Sequence, residues 1–321
     1  MESIKTRMKK KAIIVSIKGT KLSIKEKLLL SKEKPWGLIL FKRNIKSFSQ
    51  IKNLIINIKK LTKDKKFPIL IDEEGSSVSR LRNILNHNFE ANFFGKLYEL
   101  NQKLALILYK NYLDSLCINL KRIGININTI PVLDVLRKTT NKIIGKRSFS
   151  DNEKIVKKLG EITIKKCHSS NVVTVIKHIP GHGCSSVDSH FSLPKVNLSE
   201  KTLNRKDFYP FKASHAKLAM TAHILYSKID SNNISTFSNK IIKNIIRNKI
   251  GFKGILMSDD ISMKALNYDL VTNARKSLAA GCNLILYCAG NIKDNFKLIR
   301  NVPYIDKFTI KKTSEIYKIM R

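Results

Sequence analysis

Acidic residues are scarce in this chain of 321: 24 Asp and Glu stand against 61 Lys and Arg, for a formal net charge of +37. Arginine is scarce as well, 12 of those 61 cations. Nucleic-acid readers lean on arginine for bidentate contacts to bases and phosphates, so the deficit argues against a specific nucleic-acid partner. The lysines are scattered over nearly every helical segment. Ile and Asn, which share A- and T-rich codons with Lys, are abundant too. Compositional drift therefore accounts for the charge, with incidental polyanion affinity at low salt.

Cysteine is sparse, with five residues at 117, 167, 184, 282 and 288 and no CxxC pair. The odd count and the lack of CxxC argue for a reducing compartment rather than a disulfide scaffold. Long apolar runs are missing, and none approaches the length of a membrane span. The basic start of the chain leads into AIIV, an uninterrupted apolar stretch of four residues, too short for a signal-peptide h-region. The expectation is a cytoplasmic protein with no membrane partner. A proline- or serine-rich linker and an internal repeat are both absent, so residues 1–321 read as one domain.

What is present is 43% apolar content, ample for a large core. Eight short runs rich in Ile, Leu and Val recur: AIIVSIKG near 12, WGLILFK near 36, FPILIDEE near 67, GININTIPVLD near 124, VVTVIKHI near 172, LAMTAHI near 218, KGILMSDD near 253 and CNLILYCA near 282. Several lack polar alternation, as strands buried on both faces do. Lys-rich segments of helical spacing lie between them. In SFSQIKNLIINIKKL, for example, Ile51, Leu54, Ile55, Ile58 and Leu61 share one face. NEKIVKKLGEITIKKC is a second such segment. Eight strands alternating with helices predict an α/β fold, a single (β/α)8 TIM barrel, with a doubly wound open sheet as the competitor.

A barrel of this kind gathers its chemistry at the C-terminal ends of its strands. Polar residues do follow the strand runs: Asp72, Glu73 and Glu74; Asp134; Lys177 and His178; His223; Asp259 and Asp260. Five segments that each end this way predict one shared pocket.

The stretch KHIPGHGCSSVDSH, residues 177 to 190, holds three histidines. His178 and His182 have the spacing of a zinc pair on a helix, but Pro180, Gly181 and Gly183 oppose a helix there. The better reading is a strand end followed by a mobile glycine loop that could carry Asp188 and His190 over the pocket. In that loop Asp188 would orient His190, as a carboxylate does for a catalytic imidazole; a solvated histidine beside an aspartate is the plain alternative. In GILMSDDISM, Asp259 would face the pocket while Asp260 starts a helix around SMKAL. A carboxylate nucleophile and a separate acid/base are the minimum for retaining glycoside hydrolysis. DEEGSSVSRLR supplies Asp72 and Arg80, for sugar hydroxyls or for a surface salt bridge. GKRSFS supplies Arg147.

Together these motifs carry a resemblance. DEEGxxVxRL, GINxNxxPVLDV, GKRSFS, KHIPGHG with DSH, MTAHI and GFKGILMSDDISM stand in the order found in the β-N-acetylhexosaminidases of glycoside hydrolase family 3, in particular the bacterial cytoplasmic enzymes of peptidoglycan recycling. The similarity runs from about residue 36 to about residue 290. It implies a TIM barrel and a retaining exo-hydrolase that removes terminal β-linked N-acetylglucosamine. The implied substrate is the small carbohydrate N-acetylglucosaminyl-1,6-anhydro-N-acetylmuramic acid, with or without its peptide. Asp259 matches the nucleophile, His190 the acid/base and Asp188 its partner. Asp72, Arg80, Arg147, Lys177 and His178 match the sugar-binding residues. An imidazole in place of the usual second carboxylate avoids a second anion near the nucleophile, and its ordinary pKa, near 6.5, is close to working pH. No metal or organic cofactor is implied, and a monomer is expected.

The chain departs from the family where Ser76 and Ser77 replace a glycine and an arginine, at Cys184 and Ser185 after PGHG, and at Asn283. None of these is a position with a named catalytic role. A basic nucleic-acid-binding protein on a degraded hydrolase barrel is the competing expectation.

Overall fold

The computed structural model describes residues 10–85, 89–187 and 192–320. Eight parallel strands close into a barrel: β1 (Lys11–Val15), β2 (Pro35–Leu40), β3 (Ile69–Ile71), β4 (Ile127–Asn128), β5 (Val173–Ile179), β6 (Leu218–Thr221), β7 (Ile255–Asp260) and β8 (Leu284–Leu286). Each pairs with the next in chain order. β8 returns to β1 through Ile13 opposite Ile285 and Ile14 opposite Leu286. That closure makes the fold a (β/α)8 TIM barrel and excludes the open sheet. All eight apolar runs read from the sequence become its strands.

The strands are apolar on both faces because both faces are covered. Ile14, Ile39, Leu70, Val175, Met220 and Met257 pack together inside the barrel. Their neighbours Leu38, Ile69, Ile71, Ile176, Ala219 and Leu256 pack outward with the helices. The period of two along each strand sorts side chains between these layers.

The helices follow their apolar stripes. Helix α1 (Phe48–Thr62) starts at Ser47, whose side chain accepts from Gln50 N, and buries Ile51, Leu54, Ile55 and Ile58. Each such burial contributes about 1.5–3 kcal/mol. Leu61, expected on the same face, is only half-buried, because it sits in the last turn before Lys63 reverses the chain in a left-handed conformation. Helix α2 (Gln102–Ile123) stops at Gly124, φ 100°, and α3 (Glu153–Ser169) realises the second Lys-rich segment. The helix expected around SMKAL is corrected. Residues 261–268 form turns, and α4 (Leu270–Ala280) starts at Asp269, whose carboxylate accepts from Val271 N and Thr272 N. Asp260 cannot cap it, because its own carboxylate is taken up by Ser262 and Cys288.

All five cysteines are free thiols. Among the described residues no helix is long and apolar enough to cross a membrane. Beyond β5 and β6, Lys195–Val196 and Leu225–Tyr226 pair as a small separate sheet and brace the loops on the C-terminal side.

Candidate active site

The strand ends converge on a cavity of about 290 Å³, and Asp72, Arg80, Arg147, Lys177, His178 and Asp259 all line it. Every described residue expected at the site is therefore in one place. Asp188 and His190 lie outside the described residues. A larger hollow, about 890 Å³, lies on the outer face of α1 and is lined by lysines, asparagines and leucines. Among the described residues no carboxylate lines it.

The loop after β3 is built by alternation. Asp72 and Glu74 line the cavity, while Glu73 turns away and is fully buried. Glu73 accepts from Ser79 Oγ at 2.5 Å, Arg80 N at 2.8 Å and Leu81 N at 2.9 Å, which folds residues 72–81 into a compact hook. The hook returns Arg80 to Asp72, Nη2 to Oδ2 at 3.0 Å. Lys177 Nζ reaches the other oxygen at 3.3 Å, and Thr129 Oγ1 donates to that oxygen as well. Burial alone would raise the pKa of Asp72, but Lys177, Arg80 and the hydroxyl hold its carboxyl well below the usual range. It is an anion at any working pH.

Glu74 ties two of the expected cations together. Arg147 donates to it through Nε at 2.7 Å and Nη2 at 2.9 Å, the bidentate fork that guanidinium geometry favours. Lys177 Nζ lies 2.5 Å from the same carboxylate. Burial pushes Glu74 up, Arg147 and Lys177 pull it down further, and its pKa falls to about 2. Arg147 therefore shapes the cavity wall with all three nitrogens engaged, Nη1 donating to Ile143 O at 3.0 Å. Arg80 lies against the Phe41 ring at 5.3 Å, and Arg43 lies against the same ring at 4.7 Å.

At the end of β5 and just past it, His178 and His182 share one carboxylate. His178 Nδ1 is 2.7 Å from Asp134 Oδ2, and Oδ1 accepts from His178 N at 3.2 Å and His182 N at 2.6 Å. Their spacing thus serves Asp134, which is fully buried. Burial would raise its pKa, yet the neighbouring imidazole lowers it overall. Burial, followed by the charge of His178, lowers His182 to about 4, so its ring is neutral near pH 7. The glycines here do more than loosen a loop. A Cβ on Gly183 would meet Val135 O at 1.8 Å, and Gly181 has φ 141° with Asp207 O 2.8 Å from where a Cβ would lie. Gly183 thus lets the segment press against Val135 beyond β4, and Gly181 lets it seat against Asp207. Tyr226 Oη donates to Gly181 O at 2.6 Å and pins it there.

At the end of β7, Asp259 faces the cavity with Oδ1 accepting from Asp260 N at 2.7 Å. Asp260 accepts from Ser262 N and Oγ at 3.1 and 2.7 Å and from Cys288 N at 3.1 Å, and burial raises its pKa. His223 is buried beneath the pair. Nε2 is 3.1 Å from Asp260 O and Nδ1 is 2.8 Å from Thr236 Oγ1, which orients the backbone that carries both carboxylates.

Glu74 and Asp134 were visible in the sequence as strand-end carboxylates but had no role there. The signal that would have given Glu74 one is its two-residue offset from Asp72. Nothing local marks Phe41. Ser76 and Ser77, visible in the sequence as departures, both donate to Glu90.

A family model described as the glycosyl hydrolase family 3 N-terminal domain matches residues 6–313. A β-hexosaminidase of Nitrosomonas eutropha is 32% identical over 281 residues, 86% of this chain and 80% of the relative. A β-hexosaminidase of Haemophilus influenzae is 31% identical over 304 residues, 91% of this chain and 85% of the relative. Among solved structures, NagZ from Neisseria gonorrhoeae in complex with N-trifluoroacetyl-D-glucosamine superposes with a TM-score of 0.86 at 28% identity, covering 97% of this chain and 91% of that one. The chain belongs to glycosyl hydrolase family 3, as a glycoside hydrolase of the NagZ-like β-N-acetylhexosaminidase group.

Proposed function

We propose that this enzyme is a retaining exo-β-N-acetylglucosaminidase that releases terminal β-1,4-linked N-acetylglucosamine from anhydro-muropeptides in peptidoglycan recycling, acting in the cytoplasm as a one-domain monomer. The observation that carries the reading is the meeting of Asp259 with the Asp72, Arg80 and Lys177 cluster in one small cavity. It gives a carboxylate nucleophile beside a ring of fixed hydrogen-bonding groups, which is what a single sugar needs. The N-trifluoroacetyl-D-glucosamine in complex with the Neisseria relative is in keeping with this choice of sugar.

In this reading Asp72, Arg80, Lys177 and His178 hold the hydroxyls, and Arg147 closes the wall that Glu74 stiffens. The Asp259 carboxylate attacks the anomeric carbon as the bond to the leaving oxygen breaks, and that oxygen takes a proton from His190. Asp188 keeps the imidazole oriented. Water then gives a proton back to His190 and displaces Asp259, so the sugar leaves with its original configuration. Asp72 and Glu74 do not compete for these protons, because both are held as anions by their cationic neighbours.

The test is incubation of the purified chain with N-acetylglucosaminyl-anhydro-muropeptides and mass analysis of the products. Free N-acetylglucosamine and the shortened anhydro-muramoyl peptide are expected. Intact substrate, together with no release of 4-nitrophenol from its N-acetyl-β-D-glucosaminide, would refute the reading.

A further inference from the structure

Large apolar side chains are exposed unevenly over this molecule. Of thirteen that stand open to solvent among the described residues, seven fall between residues 89 and 118. Leu104, Ile107, Leu108 and Ile118 are on α2, and Leu100 ends the helix Ala91–Leu100 just before it. Leu100 is 85% exposed and Ile107 49%. Asn101 joins the two helices, its side chain accepting from Leu104 N. The junction is therefore a knuckle of apolar tips.

α2 is thus apolar on two faces. Ala105, Tyr109, Leu113, Leu116 and Leu120 are buried on the inner one, which the barrel accounts for. The outer row starts at Leu104, Ile107 and Leu108 and continues through Asn111 and Ser115 to Ile118, all at helical spacing. It is densest in the first two turns. Its neighbour α3 shows what an outer barrel helix ordinarily presents: Lys154, Lys158 and Lys165 are exposed there, and no large apolar side chain is.

Charge decides what covers the row. Lys103, Lys110 and Lys121, spaced for one side of the helix, flank it and are exposed. The acids nearby are engaged: Asp114 is 2.6 Å from Lys166, and Glu99 accepts from Ser150 Oγ at 2.8 Å. A second copy would bring the same lysines and its own net charge of +37, so the two would repel. A folded acidic partner would need a groove to receive a convex helix face, whereas a lipid surface moulds itself to one.

We propose that the start of α2, with Leu100, is a peripheral docking face for a membrane surface rich in anionic phospholipid. The apolar tips enter the boundary between headgroups and acyl chains, and the flanking ammonium groups meet the phosphates. The sequence expectation of no membrane partner rested on the length of apolar runs. That length bears on spanning a bilayer and is blind to one face of a helix lying on it. α2 follows β3 and runs back along the barrel, so its first turn is at the end where the sugar cavity opens. Docking by the knuckle holds that mouth near the bilayer. The inference is independent of the sugar the enzyme cleaves.

The experiment separates docking by this face from general attraction of a basic protein to anions. The probe is a vesicle of phosphatidylcholine with about 30% phosphatidylglycerol, in about 0.15 M salt. The full chain is expected to sediment with it and not with pure phosphatidylcholine. Leu104→Trp puts a reporter in the row, and Tyr304→Trp puts one at an exposed position elsewhere, over the common background of the buried Trp36. Emission from the first is expected to shift to the blue and to be quenched by lipids brominated on their acyl chains; emission from the second is not. The quadruple variant Leu100→Ser, Leu104→Ser, Ile107→Ser, Leu108→Ser should keep the wild-type unfolding midpoint and lose about tenfold or more in vesicle affinity. Lys103→Gln, Lys110→Gln, Lys121→Gln should weaken binding several-fold, and Lys293→Gln, Lys297→Gln, Lys311→Gln, an equal loss of charge elsewhere, less than about twofold. No sedimentation, equal quenching of both reporters, or full affinity in the quadruple variant overturns the proposal. So does a wild-type dimer in solution that the quadruple variant breaks, which would give the face to a second copy.

Discussion

Glu74 grips Arg147 through two hydrogen bonds of 2.7 and 2.9 Å, and neither group is exposed enough for water to replace the other. The pair joins the loop after β3 to residues 145–150, two segments far apart in sequence, and Lys177 from β5 completes it at 2.5 Å. The cavity wall is thus an ionic knot of three chain segments.

Loosening that knot has a defined consequence. Glu74→Gln leaves Arg147 with a neutral acceptor in place of its carboxylate and Lys177 with Asp72 as its remaining anion, so the Arg147 end of the wall loosens. Stability is expected to fall by about 3 kcal/mol, since a buried charge is left without its partner. The displaced wall is expected to lower kcat/KM by about 10- to 100-fold, the usual result of a misplacement near 1 Å. Thermal unfolding and steady-state kinetics on the 4-nitrophenyl glycoside check both parts, and wild-type values in either would contradict the account.

Acid should destabilise the protein in two stages. His182 has its pKa lowered from 6.5 to about 4, so the unfolded chain takes up that proton first and stability falls as pH drops from about 6.5 to 4. Glu74 is depressed from 4.5 to about 2, and its contribution is present above 4.5 and lost between there and 2. The Asp72 and Asp134 carboxylates, also lowered, act in the same direction. Unfolding midpoints recorded from pH 7 to pH 3 are expected to decline throughout. His182→Gln should flatten the upper part of that decline.

Gly183→Ala tests the packing of the 181–187 segment. The new methyl would stand 1.8 Å from Val135 O, a backbone atom that cannot rotate away. A loss of about 1–3 kcal/mol is expected, as for other overpacked sites. Because residues 188–190 follow directly, kcat should fall more than KM rises. Equal activity and stability would show that the close approach is not needed.

Much of this was legible in the sequence. All eight strands announced themselves, because side chains buried on two faces leave no polar alternation. The described residues expected at the site, Asp72, Arg80, Arg147, Lys177, His178 and Asp259, all reached one cavity, since a closed parallel barrel has one place for its C-terminal strand ends. What stayed hidden was pairing. Residue order does not say that Glu74 meets Arg147, or that His178 and His182 converge on Asp134, because those contacts depend on how neighbouring strands stagger. The helix expected at SMKAL was misplaced for a local reason: Asp260 and Asp269 both suit an N-cap, and only the fold shows that the first is occupied by Ser262 and Cys288. The glycines of PGHG were read as freedom, whereas Gly183 answers to a backbone contact with a different strand's extension.

The most direct test of the central claim, that Asp259 is the group that bonds to the sugar, is trapping. A 5-fluoro glycosyl fluoride of N-acetylglucosamine slows the second step more than the first and lets a covalent intermediate accumulate. Peptide mass spectrometry after brief incubation and acid quench should find one fluorosugar on the peptide that contains ILMSDD, with fragmentation placing it on Asp259 and none on Asp259→Asn. An adduct on another residue, or turnover without any adduct and with the sugar released in the inverted configuration, would contradict it.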